Sequence, residues 1–216
     1  MTFRSIFLFF ALGLSLGNTW AVGFKSECER KQEEFQSDPQ YITAQNLSRK
    51  NKDEDALKQF IFAANKNNLE AYIDVGLIYL NGWGNTPQNT TEGLKWIKSA
   101  AKRDYGPAQE ALGSIYSLGI KVPMDYVEAA NWYKLASGNS CIRSWLSLSM
   151  MYENGEGVRR DIVKSHMWRN LYNSVSEDQD REKLLKYLER NMTGQQISQA
   201  QKLARECQAR NFKNCD

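Results

Sequence analysis

The stretch AQEALGSIYSLGIKVPMDYVEAANWYKLASG, residues 108–138, decides the fold of this protein. Its apolar residues Leu112, Ile115 and Tyr116 are spaced as one face of a helix. Asp125 follows a loop that contains glycine and proline, and its side-chain oxygen is suited to cap the start of a second helix. The stretch therefore predicts two helices joined by a short loop.

The same pattern recurs on both sides of this stretch with a period of 36 or 37 residues. The recurring positions are Tyr79, Tyr116 and Tyr152; Trp96, Trp132 and Trp168; Gly82, Gly119 and Gly155; and Asn89, Asp125 and Asp161. A repeat of this size indicates stacked structural units that share one continuous core. The sequence thus predicts an all-α solenoid of helix pairs.

We divide the chain on this register. The predicted segments are a signal peptide at 1–21, an N-terminal capping helix at 22–39, repeat units at 40–70, 71–107, 108–143 and 144–175, and a C-terminal capping helix pair with a disulfide-clipped tail at 176–216. Thr193 and Gln196 have the spacing of a capping box and predict the start of the last helix. The capping segments are expected to shield the open ends of the stack.

The repeat resembles that of the Sel1-like repeat family, which is related to the tetratricopeptide proteins. The resemblance rests on Ala-x3-Leu-Gly-x2-Tyr from Ala108, the loop glycine, the cap Asp125 and Trp-Tyr-x2-Ala from Trp132. Departures are Gly119-Ile120-Lys121 for the usual Gly-x-Gly, Ser149 for glycine and Tyr172 for alanine. The resemblance implies a right-handed superhelix whose faces bind other proteins.

The first residues have the pattern of an export signal. Arg4 precedes an apolar run at residues 6–16, and Thr19-Trp20-Ala21 follows, so we expect cleavage after Ala21. The run is about half of the roughly 20 residues that a spanning helix needs. We therefore expect no membrane insertion and a periplasmic or secreted protein of bacterial type.

The charge of the mature chain is nearly balanced. The sequence has 28 Lys and Arg against 25 Asp and Glu, and loss of Arg4 leaves 27 basic residues. This balance disfavours nucleic acid or an anionic membrane surface as partner. We expect another protein as the partner of a chain that is monomeric on its own.

Four cysteines in an exported chain favour two disulfides, with three possible pairings. Cys207 and Cys215 are eight residues apart and would clip the tail onto the last helix. Cys28 with Cys141 then follows only by exclusion. The alternative is that one or both pairs are free or form bridges between molecules.

The sequence offers little for catalysis, and we expect no enzyme, cofactor or metal. Ser99-Ala100-Ala101-Lys102 is the one match to the Ser-x-x-Lys motif of penicillin-binding proteins, but no Lys-Thr-Gly follows anywhere. His166 is the single histidine, so a metal site or a catalytic triad would depend on it alone. We interpret His166 as a packing residue.

Positions on the first helix of each pair that the core does not require, together with one tryptophan in the loop that follows, are candidates for partner binding. They are Tyr72, Ile73, Leu77, Trp83, Glu110, Trp145, Leu146 and Met150. The aromatic residues Trp83 and Trp145 are the predicted anchors, because large aromatics bury much area at small entropic cost. The competing interpretation is that these side chains pack against adjacent repeats.

The resemblance supplies three candidate functions for an exported member of the family. They are a protein-interaction adaptor, an immunity protein against a lipase-type effector of type VI secretion, and a penicillin-binding or weak β-lactamase enzyme. The sequence favours the interaction module, with immunity as its sharpest specific form and the enzyme as the least favoured of the three.

Overall fold

The computed structural model describes residues 26–176 and 180–215 of the chain. Within these ranges it has eleven helices and no extended strand, which confirms the predicted all-α solenoid. They are α1 Glu27–Gln36, α2 Pro39–Arg49, α3 Asp53–Asn65, α4 Leu69–Asn81, α5 Thr90–Ala101, α6 Gly106–Leu118, α7 Tyr126–Gly138, α8 Ile142–Asn154, α9 Ile162–Val175, α10 Arg181–Glu189 and α11 Gly194–Ala209. The predicted signal peptide lies outside the described residues.

Helices α2 to α9 form four antiparallel pairs that stack in chain order. The pairs are α2 with α3, α4 with α5, α6 with α7, and α8 with α9, and each pair also contacts the next. We call the first helix of each pair its A helix and the second its B helix. Helix α11 packs against α9 and covers the last pair, while α10 contacts α9 as well.

One backbone hydrogen bond closes the loop in each of the last three pairs. The amide of the residue that caps the B helix donates to a tyrosine carbonyl near the end of the A helix. These bonds are Asn89 to Tyr79 at 2.7 Å, Asp125 to Tyr116 at 3.0 Å and Asp161 to Tyr152 at 2.9 Å. Their recurrence explains why the tyrosine and the cap residue keep a fixed spacing along the chain.

The same cap residues also start the B helices, as the sequence predicts. The Asn89 side chain accepts from the Glu92 amide at 3.0 Å, and Asp125 accepts from the Glu128 amide at 2.9 Å. At the far end, Thr193 and Gln196 form a complete capping box. Each of these bonds satisfies an amide that the first turn of a helix leaves without a partner.

The two helices of a pair touch where both carry small residues. A Cβ atom added to Gly93 would lie 2.6 Å from the Gly76 carbonyl oxygen, so α4 and α5 are in backbone contact. In the last pair serines replace these glycines, and the hydroxyls of Ser149 and Ser165 lie 3.2 Å apart, within hydrogen-bond distance. The departure from glycine at Ser149 is therefore matched by a polar contact at the same crossing.

The chain end folds back onto the last pair. A disulfide joins Cys207 in α11 to Cys215, and Phe212 between them packs against Trp145 with ring centroids 4.7 Å apart. This contact belongs to a core cluster that also includes Trp168 and Leu171. The tail is thus part of the core of the fourth pair.

We predict that Gly93→Ala destabilises the protein by roughly 1–3 kcal/mol, because the added methyl group forces α4 and α5 apart. Gly194→Ala is the matched control: it also adds one methyl group to a helix, but that methyl group has nothing within 4 Å. The measurement is urea unfolding followed by circular dichroism. Equal stability of the two variants would contradict the close contact.

Candidate protein-binding surface

The N-terminal helix α1 lies on the A helices rather than at the end of the stack. It packs against α2, α4 and α6. We call the side of the A helices on which α1 lies the A face. Helix α1 presents Cys28, Gln32, Phe35 and Gln36, which have the spacing of one helix face.

Helix α1 crosses the amino-terminal ends of three successive A helices. The Asn68 side chain before α4 donates to the Phe35 carbonyl at 2.7 Å, and Tyr105 before α6 meets the Phe35 ring edge to face at 5.4 Å. Cys28 forms a disulfide with Cys141, which directly precedes α8. The helix therefore runs from the fourth pair back to the second.

A buried carboxylate lies under α1. Glu70 accepts hydrogen bonds from Gln32 at 2.8 Å, Gln36 at 3.1 Å and the Tyr105 hydroxyl at 2.8 Å. Burial raises the pKa of Glu70, and these three donors partly offset that rise by stabilising the anion. All three donors are uncharged, and two of them come from α1.

A second acid follows one helical turn later on the same face. The Tyr41 hydroxyl donates to Asp74 at 2.5 Å. Burial, with a smaller contribution from the nearby Glu70 carboxylate, raises the pKa of Asp74 from 3.8 to about 7, although the bond from Tyr41 opposes this rise. Burial and the Asp74 charge likewise raise the pKa of Tyr41.

A third acid stands beside the disulfide. Glu110 accepts from Arg143 Nε at 2.7 Å and from the Ser144 hydroxyl at 3.4 Å. Burial raises its pKa and the Arg143 charge lowers it. Among the described residues, Glu110, Cys28 and Cys141 are the one group close enough to share a metal ion, but the disulfide consumes both sulfurs.

Three of the candidate partner-binding residues are buried within the protein. Trp145 has no exposed surface because Phe212 of the returning tail covers it. Glu110 is covered by Arg143 and the disulfide region, and Ile73 lies in a core cluster with Leu69. For these three positions the competing interpretation, packing within the protein, is the right one.

The remaining predicted residues keep part of their surface. Tyr72 packs against Trp96 with ring centroids 5.2 Å apart, and Trp83 forms a backbone bridge with Thr86 in its loop. Leu77 and Leu146 are partly exposed. Met150 is 50% exposed and is the most open of the predicted set.

Sequence reasoning missed Leu118, which is 71% exposed at the end of α6. Its register equivalents are Asn81 and Asn154, so a leucine at this polar position was the available signal. Leu118 and Ser114 are four residues apart, and Leu77, Ser114 and Met150 occupy the same repeat position. We call Leu77, Ser114, Leu118 and Met150 the open A face, since α1 covers the other ends of these helices.

The residues considered for catalysis have ordinary structural contacts. The Ser99 hydroxyl donates to the Lys95 carbonyl at 2.7 Å, one turn back on the surface of α5. His166 is fully buried, with Nε2 3.1 Å from Glu189 Oε1 and Nδ1 3.0 Å from the Asn170 amide nitrogen. The contact with Glu189 links α9 to α10. In the two described ranges, no helix is both long and apolar enough to cross a membrane.

We predict that stability falls as pH rises through the pKa of Asp74. The pKa of Asp74 is higher in the folded protein than in the unfolded chain. Its contribution to the free energy of unfolding is therefore fully present below about pH 4 and is lost as the pH rises through about 7. Asp74→Asn, which stays neutral, should reduce the loss between about pH 5 and about pH 8 by on the order of 2 kcal/mol. Urea unfolding at both pH values measures the free energy of unfolding of the wild-type protein and of the variant.

The control for this prediction is Asp125→Asn, because asparagine fills the equivalent cap at Asn89. This variant should keep the wild-type dependence on pH. A dependence that is the same in wild type and Asp74→Asn would show that Asp74 is not the responsible group.

Comparison with known proteins agrees with this architecture. The Sel1 repeat family matches residues 69–105, 106–139 and 145–168. The fold is similar to that of a protective antigen present in uropathogenic Escherichia coli strains that displays an SLR fold, with a TM-score of 0.67 and 22% identity over 86% of this chain. This chain spans 41% of that antigen's length.

A Sel1 repeat protein from Oxalobacter formigenes is also similar, with a TM-score of 0.51 and 28% identity. The match covers 55% of this chain and 90% of that protein. Three repeats in the sequence and the stack of helix pairs lead to the same conclusion. The chain therefore contains three Sel1 repeats and has the fold of SLR proteins.

Proposed function

We propose that this protein is an exported module that binds another protein through the open A face. Sel1 repeat proteins act as protein–protein interaction modules. The observation that carries the proposal for this chain is the exposure of Leu118 and Met150 on neighbouring A helices. Large apolar side chains exposed on one surface are favoured anchors of protein interfaces.

The surroundings of these two side chains suit a protein partner. Ser114 and Asn154 lie on the same helices as the apolar anchors. The Ser114 hydroxyl lies 3.2 Å from the Tyr133 hydroxyl, and the Asn154 amide donates to Glu156 at 3.4 Å, so polar groups stand beside the anchors. An apolar centre with a polar surround is the usual composition of a protein interface. The repeat arrangement supplies such positions on successive helices, which favours an extended contact.

The cysteine pairing supports export. Cys28 pairs with Cys141 and Cys207 pairs with Cys215, so the described residues contain no free cysteine. Disulfides persist in the periplasm and outside the cell and are rare in the reducing cytoplasm. This pairing and the signal-like sequence at residues 1–21 support the same location.

We predict that Leu118→Asp with Met150→Asp abolishes capture of the partner. The oxidised wild-type protein, used as bait in envelope and culture fractions of its native cells, should retain a protein that this double variant loses. Mass spectrometry with isotope labels measures the amount of partner captured by the variant relative to the amount captured by wild type. The reason is that two carboxylates would be desolvated at the centre of the contact.

The control is Val127→Asp with Leu135→Asp, two residues that are 60% and 52% exposed on the B helix α7. This variant should capture the partner as well as wild type does. Equal loss in both double variants, or no protein retained by wild type, would refute the open A face as the binding surface.

The number of captured partners separates the narrower versions of this proposal. One stoichiometric partner that is a toxic lipase would support an immunity protein. Several partners of lower occupancy would support an adaptor. Covalent labelling by a penicillin that is lost in Ser99→Ala would instead support an enzyme.

We also predict that the natural protein begins at Val22 and has no reactive thiol. Intact-mass measurement of the protein from fractionated cells should give residues 22–216, with no iodoacetamide adduct until it is reduced. A chain that keeps residues 1–21, or one that reacts with iodoacetamide before reduction, would contradict export.

A further inference from the structure

The ends of the A helices beneath α1 form a second surface with its own chemistry. The helix covers Glu70, Tyr105 and Asn68, and its disulfide lies beside Glu110. We call the surface formed by these four residues the α1 groove. It combines one aromatic ring with two buried carboxylates, so a helix that binds there needs an aromatic residue flanked by hydrogen-bond donors.

Non-covalent contacts hold α1 only weakly. Among its ten residues Cys28 alone is buried, and Phe35 supplies the one aromatic contact. An aromatic pair contributes about 1 kcal/mol and a hydrogen bond to a carboxylate about 1.5–3 kcal/mol, but ordering each residue of the helix costs about 1–2 kcal/mol. A helix of this length is not stable by itself in water. The Cys28–Cys141 bridge is therefore the main constraint that keeps α1 in place.

The disulfide spans 113 residues and joins α1 to the fourth pair. At its other end α1 is tethered to α2 through Ser37 and Asp38. When the bridge is absent, α1 can swing about this two-residue connection and leave the groove. The bridge forms when the two thiols pass two electrons and two protons to a disulfide reagent, which becomes two thiols.

The donors that α1 offers to Glu70 are weaker than those another helix could offer. Gln32 and Gln36 are neutral, whereas arginine would add a positive charge and can donate two parallel hydrogen bonds to a carboxylate. A helix with arginine at these two positions and an aromatic residue between them would complement both the charge and the ring. It would therefore compete with α1.

We propose that the α1 groove is a binding site for an amphipathic helix of a partner protein, and that α1 is its displaceable internal ligand, locked by Cys28–Cys141. The partner helix carries an aromatic residue with basic or amide side chains three residues before it and one residue after it. This inference rests on the proposed interaction function but uses a surface separate from the open A face.

The test uses a fluorescent peptide of residues 26–38 with Cys28→Ala, Gln32→Arg and Gln36→Arg. Fluorescence anisotropy measures its binding to full-length oxidised protein. The Cys28→Ala, Cys141→Ala variant should bind at least about tenfold more tightly than wild type. The Cys207→Ala, Cys215→Ala variant removes the other disulfide and should behave as wild type.

A second variant guards against loss of folding. Cys28→Ser with Cys141→Ser removes the same bridge with small polar replacements and should also gain binding, whereas Gln32→Ala, Phe35→Ala and Gln36→Ala together leave the bridge in place and should not. In either binding variant, Glu70→Ala should weaken the peptide by about tenfold. No gain in either variant that lacks the Cys28–Cys141 bridge, or an equal gain in the variant that keeps it, would overturn the proposal while leaving the capture result with Leu118 and Met150 unaffected.

Discussion

The close contact between the two helices of each pair sets the geometry of the rest of the protein. Where Gly93 meets Gly76 the backbones touch, and where serines occupy the crossing their hydroxyls lie within hydrogen-bond distance of each other. Small residues at one position per pair allow every pair to adopt the same spacing. The stack can then place successive A helices side by side with their amino-terminal ends in register.

The alignment of the amino-terminal ends of the A helices determines where α1 packs. The residues that precede α4, α6 and α8 are Asn68, Tyr105 and Cys141, and each contacts α1. One short helix can touch all three only because the pairs are stacked in register. The two parts of the A face therefore differ: one end is covered by α1 and the other presents Leu118 and Met150 to solvent.

The sequence predicted what the repeat determines. Local residues at characteristic spacings determine the helix pairs, the caps at Asn89 and Asp125 and the capping box at Thr193. These features could therefore be predicted from the sequence. Trp145 was misread because its cover, Phe212, comes from a tail outside the repeat. The position of α1 was missed for the same reason, since no repeated pattern specifies what crosses the A helices.

We propose that the A face, rather than the B helices, binds the partner protein. Hydrogen–deuterium exchange of the wild-type protein, alone and with its captured partner, tests this claim directly because it maps protection along each helix. We expect slower exchange in the carboxyl-terminal halves of α4, α6 and α8. Protection confined to α5, α7 and α9 would contradict it.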